Sequence, residues 1–157
     1  MRAVVDTNVL IGRYLSPTRI PAQVLVRWRQ EAFDLEVSEP ILAEYRKVLA
    51  YAHVRRIHRM SDDEIQREVE NLREYGLVVE TIEKLAVVAN DPADDKFVEA
   101  AVAGGAEFIV SGDRHLLLLR SYQGVRVLTP AAFLAVLDAE GDDEVDGLLR
   151  RAYAENS

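Results

Sequence analysis

Acids and hydroxyls recur in this 157-residue chain where an apolar strand gives way to a helix. Ala3-Val4-Val5 is a short apolar, partly β-branched run that reads as a buried strand, and Asp6, Thr7 and Asn8 follow it at once. A carboxylate at such a strand end costs free energy to half-bury unless a cation or hydrogen bonds offset it. Asp is also a favoured helix cap, so capping of the Val9-Leu10-Ile11 helix start would explain Asp6 taken alone. Where the other acids fall changes that balance. Asp91-Pro92-Ala93-Asp94-Asp95 puts three acids in five residues at a helix start. Capping and the helix macrodipole account for one or two of them, not readily for all three. Ser111-Gly112-Asp113 again sets a hydroxyl and a carboxylate behind an apolar strand, Phe108-Ile109-Val110. Glu44 lies on the border of a helical stripe made by Ile41, Leu42, Tyr45, Val48 and Leu49, from which a side chain reaches a cleft beside the core. The plainer reading of Glu44 is a solvated side chain paired with Lys47 at helix-neighbour spacing.

The elements that must position these groups alternate. Strands are expected at residues 3–5, 34–38, 77–79, 108–110 and 125–128, with a loop over Gly12 to Arg19 marked by Ser16-Pro17. Helices fill the gaps: one opened by Pro21, one begun at Glu39-Pro40, one launched by the capping box Ser61-Asp62-Asp63-Glu64, one from Asp95 to Gly104-Gly105, and one capped by Thr129-Pro130. Such alternation implies right-handed crossovers and a mostly parallel sheet with helices on both faces. Ligands of such sheets gather outside the carboxyl ends of the strands. There Asp6 and Asp113 follow strands, Asp95 opens a helix at the same rim, and Glu44 sits one turn into another. Four carboxylates converging on one cleft cannot all stay ionised unaided, so the arrangement implies bound hard cations. Oxygen-only ligands select Mg²⁺ or Mn²⁺ over Zn²⁺. Ions held this way suit in-line displacement at phosphorus.

Composition bounds the rest. Hydrophobic residues make up 49% and charged residues 29%, as in an ordinary globular domain with a sizeable core. No apolar run approaches the roughly 18 residues that span a bilayer, no leader is evident, and cysteine is absent, which fits a cytoplasmic setting. The net charge of −8 divides unevenly: +4 over residues 1–60, −7 over 61–137 and −5 over 138–157. A basic surface must therefore come mainly from the first sixty residues, where Arg55-Arg56-Ile57-His58-Arg59 is the densest run. Such a run is either a solvated face or a patch that tracks phosphates, and Arg55, Arg56 and Arg59 are the candidates. The acidic stretch after Leu137 carries at most a short helix around Leu148 to Tyr153.

Four motifs in order, Asp6-Thr7-Asn8, Glu44 within Ser38-Glu-Pro-Ile-Leu-Ala-Glu-Tyr45, Asp91-Pro-Ala-Asp-Asp-Lys-Phe97 and Ser111-Gly-Asp113, resemble the PIN-domain family. Within that family they resemble the prokaryotic PIN ribonuclease toxins of toxin–antitoxin systems (VapC-like). The resemblance covers residues 1–137, leaving 138–157 as an acidic C-terminal extension. It implies a PIN-like three-layer αβα sandwich with a central, mostly parallel sheet of four to five strands. It also implies a Mg²⁺- or Mn²⁺-dependent endoribonuclease that hydrolyses RNA phosphodiesters with metal-activated water, forms a homodimer and is held inactive by a cognate antitoxin. Carried over position by position, the metal-binding and catalytic acids are Asp6, Glu44, Asp95 and Asp113, with Asn8 and Ser111 as polar neighbours. Asp95 is chosen by its separation of eighteen residues from Asp113, which leaves Asp94 as the helix cap and Asp91 as a turn residue. Two alternatives differ in class. A haloacid-dehalogenase-like phosphatase needs a second Asp two residues after its nucleophile, and Asn8 stands there. A catalytically silent RNA- or protein-binding module would not need all four acids.

Overall fold

The computed structural model describes residues 1–89 and 91–155. Six strands form one sheet in the order β3-β2-β1-β4-β6-β5. They are β1 (Arg2–Val5), β2 (Asp34–Val37), β3 (Leu77–Val78), β4 (Phe108–Val110), β5 (Ser121–Tyr122) and β6 (Val125–Leu128). All neighbours run parallel except β5, which pairs antiparallel with β6. The chain winds outward from β1 through β2 to β3, then returns to the other side of β1 for β4 and β6. The strand order thus reverses between β1 and β4, the place where such sheets open a crevice at their carboxyl ends.

Helices α1 (Thr7–Leu15), α2 (Ile20–Arg29), α3 (Glu39–Leu49), α4 (Ala52–His58) and α5 (Asp62–Tyr75) follow the outward strands. On the return come α6 (Asp95–Gly104) and α7 (Arg114–Leu119), and then α8 (Pro130–Asp138) and α9 (Asp142–Glu155) close the chain. The reversed direction of winding, with right-handed crossovers, puts α6 on the opposite face from α1 to α5, where it packs on β1, β2 and β4. The result is a mixed α/β, three-layer sandwich. Its core is built from the β-branched strand residues Val4, Val5, Val37, Ile109 and Val110 against Leu10, Leu25, Leu42, Phe97 and Phe133. Among the described residues no helix is long and apolar enough to cross a membrane.

Local signals account for most boundaries. The side chains of Ser38, Ser61 and Thr129 accept from the amides of Ile41, Glu64 and Ala132, capping α3, α5 and α8. Gly105 ends α6 in the left-handed region, at φ 69°. Helices α4 and α7 stand where the sequence pattern marked none, and three further segments depart from the expected organisation. The loop expected from Gly12 is helical as far as Leu15, because Gly12 is where α2 crosses α1 closely: a Cβ there would lie 3.1 Å from Pro21 Cβ. The strand β5 is only two residues long, joined to β6 through Gln123 and Gly124 at positive φ, and so too short for any periodicity to show. The acidic segment after Leu137 contains a 14-residue helix, α9. Leu149 and Ala152 of α9 are buried, and the Tyr153 hydroxyl donates to the carbonyl of Arg120 at 3.2 Å.

Candidate metal centre

A cleft of about 150 Å³ opens at the carboxyl rim beside the β1–β4 reversal. Asp6, Thr7, Asn8, Glu44, Val48, Asp91, Asp94, Phe97 and Asp113 line it. Five of these nine are carboxylic acids drawn from four separate stretches of chain, and each is delivered by its own element.

Asp6 follows β1 and starts α1, so it caps the helix and lines the cleft at once. Its Oδ1 accepts from the Val9 amide at 3.0 Å as a helix cap, and its Oδ2 accepts from the Ser111 hydroxyl. Burial pushes its carboxyl above the ordinary range, the bonds from Ser111 and Val9 pull it back, and Asp113 and Glu44 push it up again. Ser111 is fully buried after β4. Its Oγ also accepts from the Asp113 amide at 2.9 Å, which ties the β4 acid to the β1 acid. Asp113 caps α7 through Oδ1, accepting from the His115 amide at 2.7 Å. Glu44 reaches the cleft from the second turn of α3, but its partner is not Lys47. Oε2 accepts from the Thr7 hydroxyl, and Oε1 is paired with Lys96 Nζ at 2.7 Å.

The acid run before α6 sorts differently from the sequence expectation. Asp95 does not line the cleft. Its Oδ1 accepts from the amides of Val87 and Val88, at 3.0 and 2.9 Å, so it straps the preceding segment onto α6. Glu99, one turn further on, does the same for the Leu85 amide at 2.9 Å. The side chain of Asp94 makes no cap bond; together with Asp91 it faces the cleft instead. Neighbouring residues on a helix point about 100° apart, so Asp94 and Asp95 aim differently: the strap engages Asp95, and Asp94 lines the cleft. Asp91, Asp94 and Asp113 bring carboxylate oxygens within 4.8 Å of one another.

Asp94 carries the sharpest sign of an ion position. Its Oδ2 is buried and, among the described residues, has no hydrogen-bond partner. Burial, reinforced by Asp91, Asp113, Asp6 and Glu44, pushes its carboxyl up to about 7. A buried acceptor left unmatched costs about 1–3 kcal/mol, and a hard divalent cation coordinated by oxygens removes that cost. The donor set therefore fits such an ion.

Of the remaining candidates, Asn8 lines the cleft itself. Arg55, Arg56 and Arg59 do not. Arg55 is committed to Asp62 at 2.7 Å, whereas Arg56 and Arg59 are exposed. Thr7, Asp91 and Lys96 were not among the expected site residues. Thr7 and Lys96 each adjoin an acid that was, and Asp91 stands in the same acid run as Asp95, which is the one signal in the sequence that points to them.

A mostly parallel sheet with an acidic cluster at its reversal gives an α/β sandwich whose cleft could bind a metal ion. A family model described as PIN domain matches residues 2–115, which is most of the chain, and the protein belongs to that family. PIN domains are generally nucleases that act on RNA and use divalent metals. No curated protein matches the chain.

Proposed function

We propose that the protein is a Mg²⁺- or Mn²⁺-dependent endoribonuclease, a hydrolase acting in the cytoplasm. In this reading it is the toxin of a toxin–antitoxin pair, a homodimer restrained by a cognate antitoxin. The observation that carries the nuclease reading is the orphaned, buried Asp94 Oδ2 amid four other converging acids. Asp91, Asp94 and Asp113 would hold the ion, with Asp6 and Glu44 completing the shell, so that Asp94 takes the place expected for Asp95. An ion bound there would activate a water and offset charge developing at the phosphoryl group.

The chain's own groups have derivable tasks. Ser111 orients Asp6 by its hydrogen bond and, through the Asp113 amide, sets the spacing of the two acids. Asp95 and Glu99 hold the segment that leads into Asp91. Asn8 presents an amide that can donate to a phosphate oxygen. Arg56 and Arg59, exposed on and after α4, supply charge for the RNA backbone. Val48 and Phe97 give the cleft its apolar wall.

Purified protein incubated with a structured RNA and Mn²⁺ is expected to cut internally, and chelation to stop it. Cutting that survives in chelator, or none with either ion, would falsify the reading. For the toxin role, expression is expected to arrest growth unless the product of the adjacent reading frame is co-expressed.

A further inference from the structure

We propose that Lys96 is a built-in counter-cation for Glu44, holding the carboxylate oxygen that an incoming divalent ion would take and so setting the ion affinity of the centre. The inference rests on reading the cleft as an ion-dependent nuclease centre. Its ground is that the acids there are in different states. Asp94 Oδ2 is buried without a donor, whereas Glu44 has both oxygens engaged, Oε2 by Thr7 and Oε1 by Lys96. The ammonium comes from α6, although the exposed Lys47 stands one turn from Glu44 on α3. Side-chain exposures of 20% for Lys96 and 25% for Glu44 take the pair out of the class of solvated surface contacts. The same Lys96 ammonium lies 5.7 Å from the ring centre of Phe97, and that ring lines the cleft. The first turn of α6 and the residue before it thus deliver an acid that would bind an ion, Asp94, and a base that competes with the ion, Lys96.

For Glu44 to ligate an ion through Oε1, the ammonium has to leave that oxygen, and one cation replaces another without covalent change. Until then the lysine offsets one of the negative charges crowded at the rim. Removing it exposes a stronger ligand to the ion while leaving the ion-free centre more repulsive. A lysine that merely props Glu44 in place would act in the opposite sense, because its loss would disorder the ligand and weaken ion binding.

Mn²⁺ titration of the full chain without RNA, followed by thermal shift and by calorimetry, separates these cases. Lys96→Met is expected to bind Mn²⁺ about tenfold more tightly than wild type, the scale of losing one half-buried competing pair. Lys96→Arg, which keeps the counter-cation, and Lys47→Met, which removes an equal charge from an exposed site on α3, are both expected to stay within about twofold of wild type. Lys96→Gln keeps a neutral donor to Oε1 and is expected to tighten binding in the same direction, so the test survives if Lys96→Met does not fold. Unchanged or weaker binding in a folded Lys96 variant overturns the assignment. Equal tightening by Lys47→Met overturns it too, since the effect would then be long-range charge. Wild-type protein that takes up no Mn²⁺ overturns the ion-centre reading and this one with it, whereas wild-type binding without tightening overturns the lysine alone.

Discussion

The two ends of α6 each meet a carboxyl that desolvation pushes up to about 7, yet only one of them opens onto a cleft of acids. At its start is Asp94, raised by burial and by four neighbouring acids. At its end is Glu36 of β2, raised by burial and Asp34, with Arg2 pulling the other way. Glu36 is 1% exposed, and among the described residues neither of its oxygens has a hydrogen-bond partner. It lies so close beneath Gly104 that a Cβ there would strike its carboxylate. By the direction of their shifts alone the two look alike. What separates them is company, because Asp94 opens onto a cleft lined by four more acids, and Glu36 faces the last turn of a helix. A perturbed acid is a prompt to look for convergence, not a site in itself.

The largest expected effect tests the α6 start. Asp94→Asn is expected to lower Mn²⁺-dependent RNA cleavage about 10²-fold or more, the scale of losing a group essential to the reacting centre. Asp95→Asn keeps a side-chain oxygen for the Val87 and Val88 amides and is expected to stay within about tenfold of wild type. The opposite ranking in an RNA cleavage assay would restore the assignment made from sequence spacing. Next in size is the response to the ion. At about 100 times its Kd, Mn²⁺ stabilises a folded binder by about 2.7 kcal/mol, or roughly 5–10 °C in a domain of this length. Thermal melting is expected to show that shift in wild type and in Glu36→Gln, and to show it lost in Asp94→Asn.

The α6 end answers to stability alone. Gly104→Ala is expected to cost about 1–3 kcal/mol by overpacking Glu36, measured by urea unfolding, and less in a Glu36→Ala background. A cost unchanged in that background would place the strain elsewhere. The smallest effect is pH-dependent. The folded carboxyl of Glu36 lies near 7, above its ordinary 4.5, so the folded state favours the protonated form. Its contribution is intact below 4.5 and is lost as pH rises through 7. Glu36→Gln should therefore be the more stable protein at pH 8, by about 1–2 kcal/mol, and the gap should close towards pH 5. A gap that widens on acidification would show the carboxylate to be stabilised in the fold.

Much of this was legible in local sequence. Strand ends followed by an acid, serine and threonine caps, and the alternation of strand and helix depend on a few adjacent residues and so declare themselves. Glu36 did not. Alternation in Asp34-Leu35-Glu36-Val37 reads as one wet and one dry face, and only the packing of α6 on both β1 and β2 dries the wet one. The division of labour in Asp91-Pro92-Ala93-Asp94-Asp95 was also hidden, because it turns on which side chain the segment at Val87 and Val88 captures.

The sequence by itself determined the order of the main strands and of the helices with clear caps, the family and the stretches from which the acids come, since each follows from a few adjacent residues. Tertiary structure alone decided which acid in the run before α6 faces the cleft, that Lys96 rather than Lys47 neutralises Glu44, and that Glu36 is buried without a donor. Those outcomes depend on groups brought together from distant parts of the chain, and neither spacing nor composition encodes the angle at which one helix meets the sheet.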